Sequence, residues 1–264
     1  MESLLVYLAV GAGAGIIAGM LGLGGGVVIV PALAILFDRA AFSPEITMHM
    51  AIGTSLAVIV PTSVSSVYSH YRRGAVLWPV FNKLAPGIAL GALIGPQIAV
   101  YLPGPLLTRL FGAFVTVVSV QIFLDKQRAP GGADLPGTPG LTTAGTGIGA
   151  LSAILGIGGG SLTVPFLTYC RVAIRNAVAT SAAVGFVLAS IGAIGFLQTG
   201  WNHPQVPSGS LGFVYGPAFF GLVVASMALA PAGAWLAHNI PTKLLKQIFA
   251  LFLGANGLRM LFFE

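Results

Sequence analysis

Two glycine-rich clusters, each inside a long apolar stretch, are the parts of this sequence best suited to bind a small anion. They cover residues 22–26 and 156–160. Where a helix restarts after such a run, its first N–H groups are free and carry the positive end of the helix dipole, so they attract anions. Glycine also lets a ligand approach the backbone without a side chain intervening. The glycines predicted to bind the ligand are Gly24, Gly25, Gly26, Gly158, Gly159 and Gly160.

Hydroxyl side chains supply the second set of candidate ligands. The pair Thr54-Ser55 in the first half of the chain is matched by Thr180-Ser181 in the second half. A hydroxyl in a membrane span either bonds its own helix backbone or faces a polar cavity. Repetition in both halves favours the cavity and hence substrate binding. Ser161 lies beside the second glycine cluster and could also donate to an anion, whereas Val27 at the matching position cannot, so the predicted site is asymmetric.

The placement of ionisable residues excludes several kinds of chemistry. All six carboxylates are predicted to lie in loops or at the termini, whereas cation and proton antiporters usually keep one inside the membrane. The substrate is therefore expected to be anionic or neutral. One cysteine, Cys170, and four scattered histidines match no zinc spacing, so we expect no metal, no cofactor and no catalytic residue. Among the histidines, His49 is the best candidate for handling a proton, because it leads into Thr54-Ser55.

Composition identifies the class of protein that must position these residues. Of 264 residues, 56% are hydrophobic and 7% are charged, against roughly 25% charged in soluble domains. This excludes a soluble globule and a disordered chain. The net charge of +6 is scattered among apolar runs, which argues against a nucleic-acid partner. The chain is predicted to be a polytopic membrane protein whose surroundings are the lipid bilayer.

An internal duplication divides the chain. Residues 11–31 and 145–165 are identical at 10 of 21 positions at a constant offset of 134. Later matches follow in the same order at offsets of 126 and 138. We therefore predict a first transmembrane repeat over 1–124, an exposed cytoplasmic linker over 125–140 and a second transmembrane repeat over 141–264.

The first apolar segment of each repeat is predicted to be a broken helical hairpin. Residues 4–37 would form a helix ~50 Å long, which exceeds the ~30 Å membrane core. A break at each glycine cluster, with the chain returning to its starting face, gives each half an odd number of crossings. The predicted fold is all-α, with two inverted repeats that each contain a Gly-broken hairpin followed by three transmembrane helices.

The distribution of positive charge favours this hairpin topology. If each broken segment returns, 9 of the 12 Lys and Arg side chains share one face; if it crosses once, they divide 6 and 6. The positive-inside rule makes the crowded face cytoplasmic and places both termini outside. The nine side chains are Arg72, Arg73, Lys83, Lys126, Arg128, Arg171, Arg175, Lys243 and Lys246. Opposite repeat orientation is the plan of secondary transporters, which bind substrate near the membrane midplane at broken helices.

The set of motifs resembles the sulfite exporter TauE/SafE family. The resemblance rests on the glycine clusters that lead to Pro31 and Pro165, on 51–55 and 177–181, and on the segment 71–74. It covers essentially the whole chain and implies a multi-pass protein of a cell membrane, such as the bacterial inner membrane. It also implies export of sulfite, sulfoacetate or related sulfur-containing anions. The Arg72-Arg73 pair of the first half has no counterpart in the second half, where Gln198-Thr199 stands.

The function predicted from the sequence is therefore an alternating-access exporter of a small anion, most simply sulfite or an organosulfonate such as sulfoacetate. A passive anion channel, or a carrier of another small carboxylate or a neutral metabolite, is the alternative. A membrane-embedded enzyme is disfavoured because buried carboxylates, cysteine pairs and a histidine-rich set are absent from the sequence. A homodimer is left open as the oligomeric state.

Overall fold

The computed structural model describes residues 2–21, 25–123, 134–239 and 242–262. Over these residues the chain is helical apart from a two-stranded hairpin and short connections, so the predicted all-α class is confirmed. The predictions for Gly24 and for most of the linker fall outside the described residues.

Within the described residues, each half of the chain supplies five helices in the same order. The helices of the first half are α1 (Glu2–Leu21), α2 (Gly26–Arg39), α3 (Pro44–Arg72), α4 (Trp78–Ala99) and α5 (Gly104–Phe123). Those of the second half are α6 (Thr138–Leu155), α7 (Gly160–Tyr169), α8 (Ile174–Gly200), α9 (Gly216–Asn239) and α10 (Thr242–Phe262). Between α8 and α9 the strands β1 (Ser210–Leu211) and β2 (Val214–Tyr215) pair antiparallel. Helix α6 begins at Thr138, so residues 138–140 belong to a helix and not to the linker.

The predicted breaks in the first segment of each half are present. Helix α6 ends at Leu155 and is followed by its cap Gly156, which takes a left-handed φ of 67°, and α2 begins after Gly25, with a φ of 66°. Side chains rarely adopt this conformation, so glycine is required at both turns. The 10 residues of α7 extend ~15 Å, about half of the ~30 Å core.

The two ends of each broken segment lie close together. In the second half, Arg171, just after α7, pairs with Asp134, just before α6, at 3.3 Å. In the first half, Tyr7 near the start of α1 and Phe37 near the end of α2 both contact the ring of Tyr215, at 6.1 and 5.6 Å between centroids. The chain therefore returns towards its starting level, as a hairpin requires.

The two halves interlock through equivalent helix pairs. Helix α1 packs along α9, and α6 packs along α4. A Cβ added to Gly11 would lie 2.8 Å from Leu222 Cα, and one added to Gly145 would lie 2.6 Å from the Leu84 carbonyl oxygen. These two contacts are related by the sequence offsets of 134 and 138, so the same glycine-mediated packing is formed twice. Small residues here let two backbones approach closely.

Helices α3 and α8 form the centre of the molecule and run antiparallel. Gly53 lies opposite Phe196, while Leu56, further along α3, lies opposite Gly192, earlier in α8. Among the residues that were searched, the helices long and apolar enough to cross a membrane are α3, α5 and α8. Shorter apolar helical stretches lie at 5–16, 216–229 and 250–262.

Candidate functional site

The glycine breaks of the two halves meet in the interior. A Cβ at Gly26, the first residue of α2, would lie 2.7 Å from the carbonyl oxygen of Gly156 and 3.0 Å from Ile157 Cα. Gly25 directly precedes this contact and caps α2. The structure therefore brings the first-half candidates Gly25 and Gly26 to the end of α6, where the second break begins.

The second break lies against α8. Gly158, Gly159 and Gly160 are buried, and a Cβ at Gly159 would lie 2.9 Å from Gly185 Cα and 3.2 Å from the Ser181 carbonyl oxygen. Gly159 is the residue before α7, so the N-terminus of α7 is positioned by direct backbone contact with α8. The first three amides of a helix have no partner within that helix. These amides are therefore next to the predicted site residue Ser181.

Five hydroxyl oxygens on the three helices that meet at the second break are buried without a hydrogen-bond partner in the described part of the chain. One belongs to Ser190 of α8, a partly buried residue, and the other four belong to buried residues. Their side chains are 8% exposed or less. Ser161 and Ser181 are predicted from the sequence; the other two are not. An unpaired buried hydroxyl destabilises a protein by about 1–3 kcal/mol, so these four side chains are candidates for donating to a ligand. They are Ser152 of α6, Ser161 and Thr163 of α7, and Ser181 of α8.

Sequence reasoning missed Ser152 and Thr163, although the signal was present. At the offset of 134, Ser152 replaces Ala18 and Thr163 replaces Ile29, just as Ser161 replaces Val27. Three positions around the second break therefore carry a hydroxyl where the first half has an apolar residue, and of these only Ser161, next to the glycines, was predicted.

The two repeated threonines link the halves. The Thr54 hydroxyl accepts a 3.0 Å hydrogen bond from the backbone N–H of Tyr215, just before α9. The Thr180 hydroxyl accepts a 3.0 Å bond from the N–H of Leu77, just before α4. These bonds are equivalent under the offsets of 126 and 138. Accepting uses a lone pair only, so each threonine retains its hydroxyl proton for donation to a ligand.

Ser55 is positioned differently. Its hydroxyl donates to the Gly156 carbonyl oxygen at 2.9 Å, so its proton is already used at the junction of the two breaks. Ser181 stands at the matching position, and the carbonyl equivalent to that of Gly156 belongs to Gly22, outside the described residues. Whether any of these side chains binds substrate stays a prediction.

The site is polar without being charged. Among the described residues, the buried polar side chains are serines and threonines, together with His49. Cys170 lies outside the site, at the end of α7, where burial raises the pKa of its thiol. An anion at the second break would therefore be held by neutral N–H and O–H donors.

The sequence matches the model of the family described as "Sulfite exporter TauE/SafE" over residues 7–260. A "Probable membrane transporter protein" of Haemophilus influenzae is 35% identical over 262 residues, which cover 97% of each chain. The probable membrane transporter protein YdhB of Bacillus subtilis is 28% identical over 94% of this chain and 96% of its own. A probable membrane transporter protein of Methanocaldococcus jannaschii is 25% identical over 94% and 91%.

Proposed function

Because the chain belongs to the sulfite exporter TauE/SafE family and is a membrane transporter, we propose that it exports a small anion, most simply sulfite or an organosulfonate such as sulfoacetate. The proposal places it in a cell membrane with both termini outside. It assigns substrate binding to the second glycine break and alternating access to a relative movement of the two halves.

The observation that carries this proposal is the group of buried, unpaired hydroxyls on the helices at the second break. Ser161 and Thr163 lie in the first turn of α7, and Ser181 lies on α8 beside Gly159. Each supplies an O–H, and the first amides of α7 supply N–H groups. A tetrahedral or pyramidal oxyanion presents several acceptor oxygens, and each can accept from an N–H or O–H donor of this kind.

Neutral donors suit a substrate that must be released again. A buried lysine or arginine would bind an anion through full charge as well as hydrogen bonds, and hydrogen bonds to a charged group contribute about 1.5–3 kcal/mol each. Several neutral donors can replace much of the hydration shell without a permanent counter-charge. Thr54 and Thr180 complete the proposed donor set, since both keep a hydroxyl proton.

The proposed movement is alternating access between two inverted repeats. Antiparallel packing of α3 on α8 and the glycine-mediated pairs α1–α9 and α4–α6 support it, because equivalent helices then form equivalent contacts across the two halves. The inside-negative potential favours outward anion movement by ~2.3 kcal/mol per charge per 100 mV. Export of an anion therefore has a driving force without a further ion.

The first experiment is the thermal stability of the detergent-purified protein against sulfite, sulfate, thiosulfate, sulfoacetate, taurine, acetate and chloride. A ligand at 100 times its Kd stabilises by ~2.7 kcal/mol, which gives a clear rise in melting temperature. We expect sulfite or a sulfonate to stabilise the parent protein and to lose this effect in Thr163→Val. The same rise with every anion would contradict a sulfur-specific site.

Carrier and channel are distinguished in liposomes loaded with the stabilising anion. A carrier shows flux that saturates, and unlabelled anion on one side drives counterflow of labelled anion from the other. A linear, unsaturable flux without counterflow would support the channel instead.

A further inference from the structure

A polar cavity lies away from the glycine breaks, on the face predicted to be outside. It has a volume of about 230 Å³ and is formed by the start of α3, the α4–α5 connection and the α8–β1 connection. Its polar side chains are Glu45 and His49 on α3, Tyr101 between α4 and α5, and His203 after α8. No lysine, arginine or aspartate is among the described residues that line it.

The hydrogen bonds of His49 fix its tautomer. Its Nε2 lies 2.9 Å from the carbonyl oxygen of Ala99, which can only accept, so Nε2 carries a proton. In the neutral ring Nδ1 is therefore a lone-pair acceptor. This atom is buried and has no partner in the described structure, and the side chain is 4% exposed.

Glu45 and His203 share the cavity with this lone pair. Glu45 lies one helical turn before His49 on α3. His203 lies across the cavity, with its ring 5.4 Å from that of Phe213, which is also 5.3 Å from His49. The backbone N–H of Gln205 donates to His203 Nδ1 at 3.4 Å. Because Nδ1 accepts this bond, the proton of the neutral His203 ring is on Nε2.

The cavity is connected to the proposed substrate site through one turn of α3. Ile52, three residues after His49, packs against Gly156 at the second break, and Thr54 follows. Gly53 packs against the Phe213 backbone, so this turn contacts the cavity wall and the break at the same time. A change of charge on His49 can therefore bias how the start of α3 packs against both.

We propose that the Glu45–His49–His203 cavity is a proton-binding site that couples substrate movement to the pH on its own face. This inference rests on the proposed function, since coupling requires a transported anion. The proton enters from the aqueous side and binds His49 Nδ1, while Nε2 keeps its bond to Ala99. The ring returns to its neutral form when the proton leaves.

Two measurements test the site separately from transport. The first is histidine NMR on the detergent-solubilised, ¹⁵N-histidine-labelled protein between pH 5 and 8, with the His49 signal assigned by its loss in His49→Gln. We expect the His49 signal to titrate in this range. A His49 signal that stays neutral throughout would overturn the proposal, even if no transported anion had been found.

The second measurement is counterflow in liposomes with methanesulfonate as the probe, since it stays a monoanion over this range. We expect the parent rate to change by up to tenfold per unit of pH on the cavity's face, and the rate of His49→Gln to be independent of pH. Glutamine keeps an N–H donor for Ala99 but binds no proton. His70→Gln, at the other end of α3 and outside the cavity, is the matched control and should keep the parent profile.

The outcomes separate the two proposals. Absence of transport with every anion, together with a titrating His49, would reject the proposed function and leave a proton site without the coupling inferred here. Transport with the same pH profile in the parent and His49→Gln would reject the coupling and leave the proposed function intact.

Discussion

The two glycine breaks lie in matching segments of the sequence, yet their surroundings differ. After the first break the helix begins with buried Val27 and Ile29, which are 2% and 3% exposed. After the second break the matching positions are Ser161 and Thr163, buried and without partners. The backbone arrangement is repeated and the chemistry is not. Both halves therefore share the same broken-helix backbone, whereas the hydroxyl donors lie at the second break.

The contacts between the halves, unlike the side chains at the two breaks, are closely duplicated. The Thr54–Tyr215 and Thr180–Leu77 hydrogen bonds have the same length and join equivalent residues. Under the proposed alternating access, duplicated contacts across the halves would give the two states similar stability. Variants that alter one break and leave the other unchanged test the first statement. Variants that remove one of the two equivalent hydrogen bonds test the second.

The largest expected effect is that of Gly159→Ala on transport. Its Cβ would lie 2.9 Å from Gly185 Cα, so the N-terminus of α7 must move away from α8. Misplacing a functional group by about 1 Å can reduce rates about a hundredfold, and we expect a loss of that order in counterflow rate.

Gly147→Ala is the control, since a Cβ there meets nothing within 4 Å. It should transport at the parental rate. If Gly159→Ala is well folded by its melting curve and transports as well as Gly147→Ala, the binding site is not at the start of α7.

The second effect is that Thr163→Val should bind the anion more weakly and be more stable without ligand. Loss of one donor to an anion weakens binding by about 1.5–3 kcal/mol, or roughly 10- to 150-fold in Kd. Removal of the unpaired hydroxyl should also raise the melting temperature of the ligand-free protein. Ligand titration followed by thermal unfolding measures both.

Two further variants sharpen this result. Thr108→Val removes a buried hydroxyl that donates to the Gly104 carbonyl at 3.1 Å, so it should lower stability slightly and leave affinity unchanged. Ile29→Thr places the hydroxyl at the first break, where it should destabilise without improving binding. A Thr163→Val protein that is less stable than its parent would show that the hydroxyl has a structural partner after all.

The third effect concerns the equivalent hydrogen bonds. Thr54→Val and Thr180→Val each leave a backbone N–H unpaired, at Tyr215 and Leu77 respectively. Each should destabilise by about 1–3 kcal/mol, and the two losses should be similar. Thermal unfolding without ligand measures them. A large loss in one variant and none in the other would show that the halves are not energetically equivalent.

Much of the fold could be predicted from the sequence, because it depends on composition and repetition. The glycine breaks follow from helix propensity and segment length, and the Gly11 and Gly145 contacts follow from their spacing. The partners across the halves could not be predicted. Nothing local indicates that Thr54 meets Tyr215, 161 residues away, or that His49 shares a cavity with His203. The unpaired state of Thr163 likewise depends on which groups surround it in the folded chain.

The smallest expected effect is at the ends of the two broken segments, which are held together by different interactions. In the first half, Tyr7 and Phe37 pack around Tyr215, and Phe37 is fully buried. In the second half the exposed pair Arg171–Asp134 joins the ends. Exposed ion pairs contribute less than about 1 kcal/mol and are screened by salt. Asp134→Asn should therefore lower the melting temperature slightly at low salt and not at all in high salt.

Adding Arg171→Gln to Asp134→Asn should cause no further loss, because either change alone already removes the pair. A large, salt-independent loss in Asp134→Asn would instead mean that this carboxylate has a structural role beyond the ion pair. The fold of the second broken segment would then depend on the contact between its two ends, as that of the first segment depends on the cluster of Tyr7, Phe37 and Tyr215. The small effect that we expect means that the return of α7 is determined at the break itself, by the left-handed turn at Gly156 and the contact of Gly159 with α8.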